Sequence, residues 1–410
     1  MPSLRTSGGP PVIRLSVMMF LQFLVLGSTM PIISLYLKIK CGFSGLQIGY
    51  ILAGSALSTL ASPFIGALIA DRYISAERLL SFTHAAGALI LYILSTQTDF
   101  LPVFICHLSY WLLIGPTTAL TTAITFHHAP EAVKTFGGIR LWGTIGWIAA
   151  AWIYRLLCLW RQYDSTENLE LALQLGVYSS LVLTLFALFI PRGAPRIDRP
   201  PTLLPRESLA VILRKPVLVL CIFTGLIAIA DRMYMFGGAP YLQSLGYREN
   251  NILPVLSIGQ FPEILGMALL GAAILRFGNK KVLLLGVLLE IIRFILFMLK
   301  VKGMVLYSSI GIHGLTYTFI FVTASIFLDS RCTPENRSGA HQYFALFVGG
   351  VSTLAGNILS GFVAELATLP GTGEIRFEQF WFVPLLFSIA GFLILLLFFK
   401  PDRQRSTSIR

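Results

Sequence analysis

The sequence predicts an all-α integral membrane protein in which twelve transmembrane helices form two six-helix bundles. The first observation behind this prediction is composition: of 410 residues, 55% are hydrophobic and 12% are charged, with a mean hydropathy of +0.77. A soluble globular protein carries about 25% charged residues. Lipid must therefore be the solvent for most of the surface, and the net charge of +12 does not indicate a nucleic-acid-binding protein.

The second observation is that apolar stretches of spanning length, about 20 residues, recur along the whole chain. The third is a wide polar interval, rich in Arg and Pro, that divides these stretches into six and six. We therefore predict an N-terminal six-helix bundle over 1–191, a cytoplasmic linker over 192–215 and a C-terminal six-helix bundle over 216–410. The twelve predicted segments are 14–37, 46–70, 79–97, 100–126, 138–160, 171–191, 216–236, 251–276, 282–300, 303–328, 338–367 and 380–399.

The distribution of basic residues predicts the orientation. Lys and Arg concentrate in the segments that face the cytoplasm if both termini lie inside, and the positive-inside rule selects that arrangement. The first apolar segment is too long for a signal-peptide core, so we expect it to be retained as a helix. The expected location is the plasma membrane, in a bacterium the inner membrane, where the chain crosses the lipid bilayer many times as a monomer.

Two turns in the sequence indicate an internal duplication. The loop after the second segment, Ala70–Leu80, and the loop after the eighth, Leu275–Leu285, each place an Arg and further basic residues in a tight cytoplasmic turn. Two matching six-helix halves are typical of a duplicated transporter fold, with the substrate site between the halves near the middle of the membrane.

The first turn resembles the loop motif of the major facilitator superfamily, in which an acid and a basic residue follow the second helix. Asp71 and Arg72 match this motif, whereas Ala67 stands where the motif has glycine. The resemblance implies a gating role, in which a charge pair at a helix end latches the two halves in one state. The alternative is that both residues are only polar members of a short loop.

The stretch FGGIRLWGTIGW, from Phe136 to Trp147, places a cation in or at the end of a membrane-length helix. Arg140 shares a helix face with Thr144, four residues later. A charge near hydrocarbon is costly and needs a partner or a polar cavity, unless Arg140 snorkels to the headgroups. Gly143 and Gly146 allow close helix approach, which favours a substrate site.

Glu263 lies near the middle of the eighth segment, and Gln260 shares its helix face. A carboxyl group held in that environment is costly to ionise, which suits a group that binds and releases a proton or holds a substrate. The alternative is a glutamate that stays charged beside a neighbouring Arg. The two readings agree if Arg140 is that neighbour.

Further ionisable residues lie in the second half of the chain. Asp231 and Tyr234 share a face of the seventh segment and line either a cavity or the outer mouth; Arg232 points about 100° away from Asp231, so we do not expect a simple pair. Glu290 and Arg293, three residues apart, are expected to pair along one helix as a structural contact. His313, in a segment with several polar residues, is the histidine best placed for a proton relay.

No motif for a nucleotide, a metal or covalent catalysis is present: the sequence has no GxxxxGK, HExxH or GxSxG motif, and its five cysteines are scattered without CxxC spacing. We therefore expect no enzymatic activity, no cofactor and no metal. Without a nucleotide-binding motif, the energy for transport must come from an ion gradient. One proton crossing 100 mV releases about 2.3 kcal/mol.

Seven stretches along the chain match the motifs of a known family: LQFLVLGS (Leu21–Ser28), ALIADRYISA (Ala67–Ala76), GIRLWGTIGW (Gly138–Trp147), GQFPEIL (Gly259–Leu265), RFGNKKVLLLGVLLEIIRFILF (Arg276–Phe297), HGLTYTFIFVTASIFLD (His313–Asp329) and RSGAHQYF (Arg337–Phe344). Through them nearly the whole chain resembles the nucleoside–proton symporter family of the major facilitator superfamily. The resemblance implies that Arg140 and Thr144 hold the ribose or base, that Gln260 and Glu263 complete the polar site, and that Trp147 supplies a flat apolar wall.

Three positions depart from the family. The family typically has an acidic residue where this chain has Thr318, and it can have amides where this chain has Asp231 and Tyr234. A carboxylate lost from the tenth helix and one gained on the seventh would keep the number of charges while moving one of them. These departures affect the expected specificity more than the expectation of transport.

The sequence thus predicts a proton-coupled symporter that imports nucleosides by alternating access, with the substrate and protons as its partners. Glu263, with Asp231 as a second candidate, is expected to carry the proton, and Arg140 to serve as counter-charge or substrate anchor. The alternatives are a proton-coupled sugar or aromatic-acid permease, and a non-transporting membrane sensor of the same fold.

Overall fold

The computed structural model describes residues 11–69, 75–128, 132–161, 165–191 and 205–400. All regular structure in these ranges is helical, apart from one isolated antiparallel bridge between Thr368 and Ile375. The helices are α1 (Pro11–Thr29), α2 (Ile33–Ile39), α3 (Gly45–Ile69), α4 (Ala76–Ser95), α5 (Phe100–Ile114), α6 (Thr117–His128), α7 (Ala132–Arg161), α8 (Ser165–Leu188), α9 (Arg206–Ile212), α10 (Lys215–Ser244), α11 (Glu249–Ser257), α12 (Gln260–Met298), α13 (Gly303–Tyr317), α14 (Thr323–Asp329), α15 (Arg337–Ala345), α16 (Ser352–Ala367) and α17 (Phe377–Phe398). Two π-helical turns, Thr318–Val322 and Leu346–Val351, join α13 to α14 and α15 to α16.

Nine helical stretches in the described part of the chain are long and apolar enough to cross a membrane. They coincide with nine of the predicted segments; the other three, 46–70, 251–276 and 282–300, fall on α3, α11 and α12. The all-helical fold class is confirmed, while the count of twelve spans stays a prediction. The nine stretches are Val12–Ile39, Ala76–Ser95, Phe100–His128, Phe136–Arg161, Asn168–Leu188, Lys215–Ser244, Gly303–Asp329, Arg337–Ala367 and Phe377–Phe398.

The predicted segment 251–276 is not one continuous helix. α11 ends at Ser257 and α12 begins at Gln260, with a short turn between them. α12 in turn consists of two helices joined at Gly278, whose φ of 78° and ψ of 157° are not helical. Glycine adopts positive φ without a steric penalty, so the chain turns at Gly278, inside the predicted loop between 276 and 282.

The described residues form two compact units. The first comprises the described part of Met1–Pro201 together with Met235–Ser257 and Asn357–Glu365. In it α1 packs on α7 and α8, α4 packs on α8, and α3 packs on α5. The core between α1, α7 and α8 contains residues such as Met18, Ile139 and Leu183.

Asn357–Glu365 joins the first unit through close contacts with α3. The side-chain amide of Asn357 donates a hydrogen bond to the carbonyl oxygen of Leu52 at 3.0 Å. A Cβ added to Gly361 would lie 2.6 Å from the carbonyl oxygen of Gly45 and 2.8 Å from the Cα of Gly49. Glycines at these positions therefore let α16 lie directly on α3.

The second unit comprises the described part of Thr202–Tyr234, Ile258–Gly356 and Leu366–Arg410. α12 packs on α13 and α17, and α9 packs on α15. Of the predicted linker, residues 192–204 lie outside the described part of the chain, and α9 follows at Arg206. The boundaries 1–191, 192–215 and 216–410 stay a prediction.

Candidate functional site

Glycines bring α1 and α7 into backbone contact around the predicted residues of the first unit. A Cβ added to Gly146 would lie 2.2 Å from the carbonyl oxygen of Phe20, and one added to Gly27 would lie 2.9 Å from the Cα of Trp147. The sequence-based expectation of close helix approach at Gly146 is therefore confirmed. The contact buries Thr144, which is 8% exposed, and leaves Trp147 half-buried.

Arg140 lies one turn before Thr144 on α7 and stacks on an aromatic ring of α1. Its guanidinium carbon lies 4.0 Å from the centroid of the Phe23 ring. A cation placed over a ring face in this way is stabilised by the ring quadrupole. Because a guanidinium carries five N–H donors, stacking leaves the edge of this half-buried side chain available for hydrogen bonds.

A buried polar network fixes α1 next to Phe23. The side chain of Gln22 donates to the hydroxyl of Thr117 at 2.8 Å and accepts from Nε2 of His84 at 3.0 Å; the Nδ1 of His84 lies 3.5 Å from the hydroxyl of Ser180. Gln22, His84 and Ser180 are fully buried. Satisfied polar networks rigidify a core, so this one holds the aromatic platform beneath Arg140.

In the second unit, Gln260 and Glu263 form the first turn of α12, directly after the break at Ile258 and Gly259. Both side chains are half-buried. The N-terminus of a helix carries partial positive charge and free backbone N–H groups. A carboxylate or a polar ligand at this turn is therefore stabilised by the helix end, which the sequence pattern alone did not indicate.

Glycines also set the contact between α12 and α13. A Cβ added to Gly314 would lie 2.0 Å from the carbonyl oxygen of Gly259 and 2.7 Å from the backbone nitrogen of Glu263. One added to Gly266 would lie 3.3 Å from the Cβ and hydroxyl of Thr318. Glu263 and Thr318 are thus brought to one helix pair.

Thr318 is fully buried and begins a π-helical turn. Its hydroxyl donates to the carbonyl oxygen of Gly314 at 3.1 Å. Such turns occur frequently at functional sites. Thr318, which stands where the family typically has an acidic residue, therefore lies in an irregular part of the helix.

Asp231 and Tyr234 belong to a buried charge cluster that joins α10, α12 and α13. The carboxylate of Asp231 pairs with the guanidinium of Arg232, so the expectation that these neighbours would not pair is wrong. The long Arg side chain spans the angular separation on the helix. Asp231 is 6% exposed, so its carboxylate is shielded from bulk water in this structure.

Arg293 is the centre of this cluster. Its Nη2 donates to Oε1 of Glu290 at 2.6 Å, which confirms the predicted pair, and its Nη1 donates to Nδ1 of His313 at 2.9 Å. The guanidinium carbon lies 4.4 Å from the centroid of the Tyr234 ring, and Oδ1 of Asp231 lies 3.7 Å from the same Nδ1 of His313. Together with Arg232, which pairs with Asp231, these residues form a six-residue cluster.

Sequence reasoning named every member of the cluster but did not assemble it. The spacing of three residues reveals Glu290 with Arg293, because both lie on one helix. The contact of His313 with both Arg293 and Asp231 joins three helices, and helix rotation cannot be read from hydropathy. The clue in the sequence was only that His313 lies among polar residues.

The predicted gating residues Asp71 and Arg72 lie outside the described part of the chain. Within the described ranges, α4 and α6 are joined by a separate contact: Nε2 of His128, at the end of α6, lies 2.8 Å from Oε1 of the buried Glu77 in the first turn of α4.

The five cysteines are free, and burial raises the pKa of the Cys41 thiol to about 11. No group of His, Cys, Asp or Glu in the described ranges could hold a metal ion.

Known proteins resemble the chain over most of its length. It is 32% identical to YegT of Escherichia coli, whose name assigns it to nucleoside transport, over 86% of this chain and 84% of YegT. It is 25% identical to the nucleoside permease NupG of Escherichia coli over 94% of each chain. These relatives are transporters rather than enzymes.

The fold and the family agree with these relatives. A crystal structure of a mutant of the nucleoside transporter NupG matches with a TM-score of 0.86 at 23% identity, covering 95% of this chain and all of that one. The two proteins therefore share the major facilitator fold. The profile of the family described as "Nucleoside H+ symporter" matches residues 11–404. The chain is thus a multi-pass membrane transporter that belongs to the nucleoside–proton symporter family.

Proposed function

We propose that this protein imports nucleosides together with protons by alternating access, as a monomer in the bacterial inner membrane with both termini in the cytoplasm. The observation that carries the proposal is the broken helix before α12, which places Gln260 and Glu263 at a helix N-terminus within an apolar region. Discontinuous helices supply the polar groups of substrate and ion sites in many transporters. Membership in the family does not favour a sugar or aromatic-acid permease or a sensor.

The proposed substrate contacts follow the chemistry of each side chain. Arg140 and Thr144 donate hydrogen bonds to the ribose or base, and Trp147 offers a flat face for the base. Gln260 contributes an amide that both donates and accepts. Glu263 accepts from hydroxyl or amino groups, and Asp231, Tyr234 and Thr318 complete the polar lining.

The proposed proton carriers are Glu263 and Asp231. A carboxyl group that is protonated in one state and ionised in another couples a proton gradient to the transport cycle. Asp71 and Arg72 are proposed to act as a gating latch, as their loop motif suggests.

Counterflow in proteoliposomes tests the proposal. Vesicles preloaded with unlabelled uridine should take up labelled uridine, and external nucleosides should compete whereas a disaccharide and phenylpropionate should not. A pH gradient, acid outside, should then drive net accumulation. Exchange of the disaccharide or of phenylpropionate without any exchange of nucleosides would overturn the proposed substrate class.

A further inference from the structure

The buried cluster on α10, α12 and α13 contains a group to which the family assignment gives no role. We propose that Nδ1 of His313 accepts the transported proton, and that Arg293 and Asp231 exchange as its partner when it does so. This inference rests on the proposed function and adds to the carriers Glu263 and Asp231 a histidine at which the transported proton also binds. Arg293 becomes a positioning residue and Asp231 the acceptor of the protonated ring.

The first step is the protonation state of the ring in this structure. Nη1 of Arg293 lies 2.9 Å from Nδ1 of His313. A guanidinium has only donors, so Nδ1 must offer its lone pair and carries no proton. The imidazole is therefore neutral here, and Nδ1 takes up a proton only if Arg293 withdraws.

The second step is the acceptor that stands ready. Oδ1 of Asp231 lies 3.7 Å from the same Nδ1, beyond the range of a hydrogen bond. A proton on Nδ1 would turn this nitrogen into a donor that repels Arg293 and attracts Asp231. A movement of less than 1 Å completes the new contact, since charge-assisted N–H···O bonds measure about 2.7–2.9 Å.

The third step is that both displaced groups have other partners. Arg293 remains bound to Glu290 through Nη2. Its buried Nε has no hydrogen-bond partner among the described residues, so this N–H is still available as a donor. The partner of Asp231, Arg232, is one-quarter exposed, so solvent also reaches it. After the exchange Arg293 keeps Glu290, Asp231 accepts from the protonated ring, and Arg232 keeps its contact with solvent.

The fourth step is the charge balance. The charged and titratable side chains around His313 are Asp231, Arg232 and Tyr234 on α10 and Glu290 and Arg293 on α12. The two acids and two arginines cancel while the ring is neutral. When the ring binds one proton, the buried cluster acquires a net positive charge, which the present arrangement does not stabilise. The protonated ring therefore belongs to a different arrangement of these side chains. The two arrangements differ in their affinity for the proton, and only such a difference allows proton binding to drive a conformational change.

The fifth step connects the proton to the substrate residues. Gly314 follows His313 directly and has no room for a Cβ against Gly259 and Glu263. α13 is thus in backbone contact with the first turn of α12. A displacement of His313 is transmitted to that turn without an intervening flexible side chain.

His313→Gln tests the inference in proteoliposomes. Glutamine keeps a hydrogen-bonding side chain but does not bind a proton. In the unaltered protein, one coupled proton at 100 mV supports a nucleoside gradient of about fortyfold. His313→Gln should retain counterflow but lose this accumulation, and its exchange rate should not change with pH. His107→Gln, at another buried histidine, is the matched control and should accumulate normally.

His313→Asn provides a second test if His313→Gln does not fold. Asparagine is a shorter amide that also binds no proton, so this variant should likewise exchange without accumulating. Accumulation by either variant at the fortyfold level would refute the inference and leave the proposed function intact. Failure of the unaltered protein to exchange any nucleoside would instead refute the proposed function.

Discussion

Gly146→Ala tests whether the contact of α1 with α7 positions the residues proposed to hold the nucleoside. A Cβ at this position would lie 2.2 Å from the carbonyl oxygen of Phe20, whereas Cβ atoms essentially never approach another heavy atom within 3.0 Å. Because the contacted atom belongs to the backbone, the two helices must move apart by about 0.8 Å. Gly137→Ala is the matched control: it lies on the same helix, is exposed, and its Cβ would meet nothing within 4 Å.

The expected loss of stability follows from the difference between these two sites. Alanine in place of glycine within a helix gains about 0.5–1 kcal/mol, and both variants share this gain. Only Gly146→Ala also suffers overpacking, which costs about 1–3 kcal/mol. The free energies of unfolding of the two variants should therefore differ by about 1–3 kcal/mol, with Gly137→Ala the more stable.

Unfolding followed by tryptophan fluorescence in mixed micelles measures this difference, and uridine counterflow measures the functional effect. Thr144 lies two residues before Gly146, so the separation of the helices displaces it from its position against α1. A misplacement of 1 Å can reduce a rate by about 100-fold. We expect a loss of about tenfold in counterflow below saturation. Equal stability and equal counterflow in the two glycine variants would show that this contact does not position the site.

Three further substitutions have defined outcomes. Glu263→Gln should abolish proton-driven accumulation while counterflow continues; normal uphill uptake would overturn the proton-carrying role. Glu290→Ala should lower the free energy of unfolding by about 3–5 kcal/mol, because it leaves Arg293 buried without its carboxylate. Replacing both Glu290 and Arg293 with Met should restore most of this loss. An equal loss of stability in the single and the double variant would contradict this explanation. Gly361→Ala should separate α16 from Gly45 and lower the free energy of unfolding by about 1–3 kcal/mol, because the contacted atoms belong to the backbone; an unchanged free energy of unfolding would disprove the contact.

The sequence predicted the positions of the helices well, because apolar run length and turn residues are local properties. It did not predict the break before α12, since a hydropathy window measures side chains and not backbone hydrogen bonds. The segment 251–276 remains apolar on both sides of Gly259. Non-helical backbone is tolerated at such a depth only where protein or a polar cavity surrounds it.

The site was predicted as a set of residues rather than as an arrangement. Glu290 and Arg293 were paired correctly because their spacing on one helix decides the contact. The prediction that Asp231 and Arg232 would not pair was wrong. The angle between the Cα–Cβ bonds of two residues on a helix does not decide whether a side chain as long as that of Arg reaches its neighbour. The position of His313 between Arg293 and Asp231 depends on the rotation of three helices, and one sequence does not contain that information.

The two units place their candidate polar residues by the same physical device. Within a membrane no hydrophobic force drives one helix against another, so tight association relies on small residues and close van der Waals contact. Gly27 and Gly146 provide it beside Thr144, and Gly314 provides it beside Glu263. Polar groups held on such contacts have little freedom to adjust, which is the requirement for a preorganised site. We therefore expect side-chain exchanges at Thr144 to change which nucleoside is accepted, and exchanges at the glycines to reduce transport of all of them.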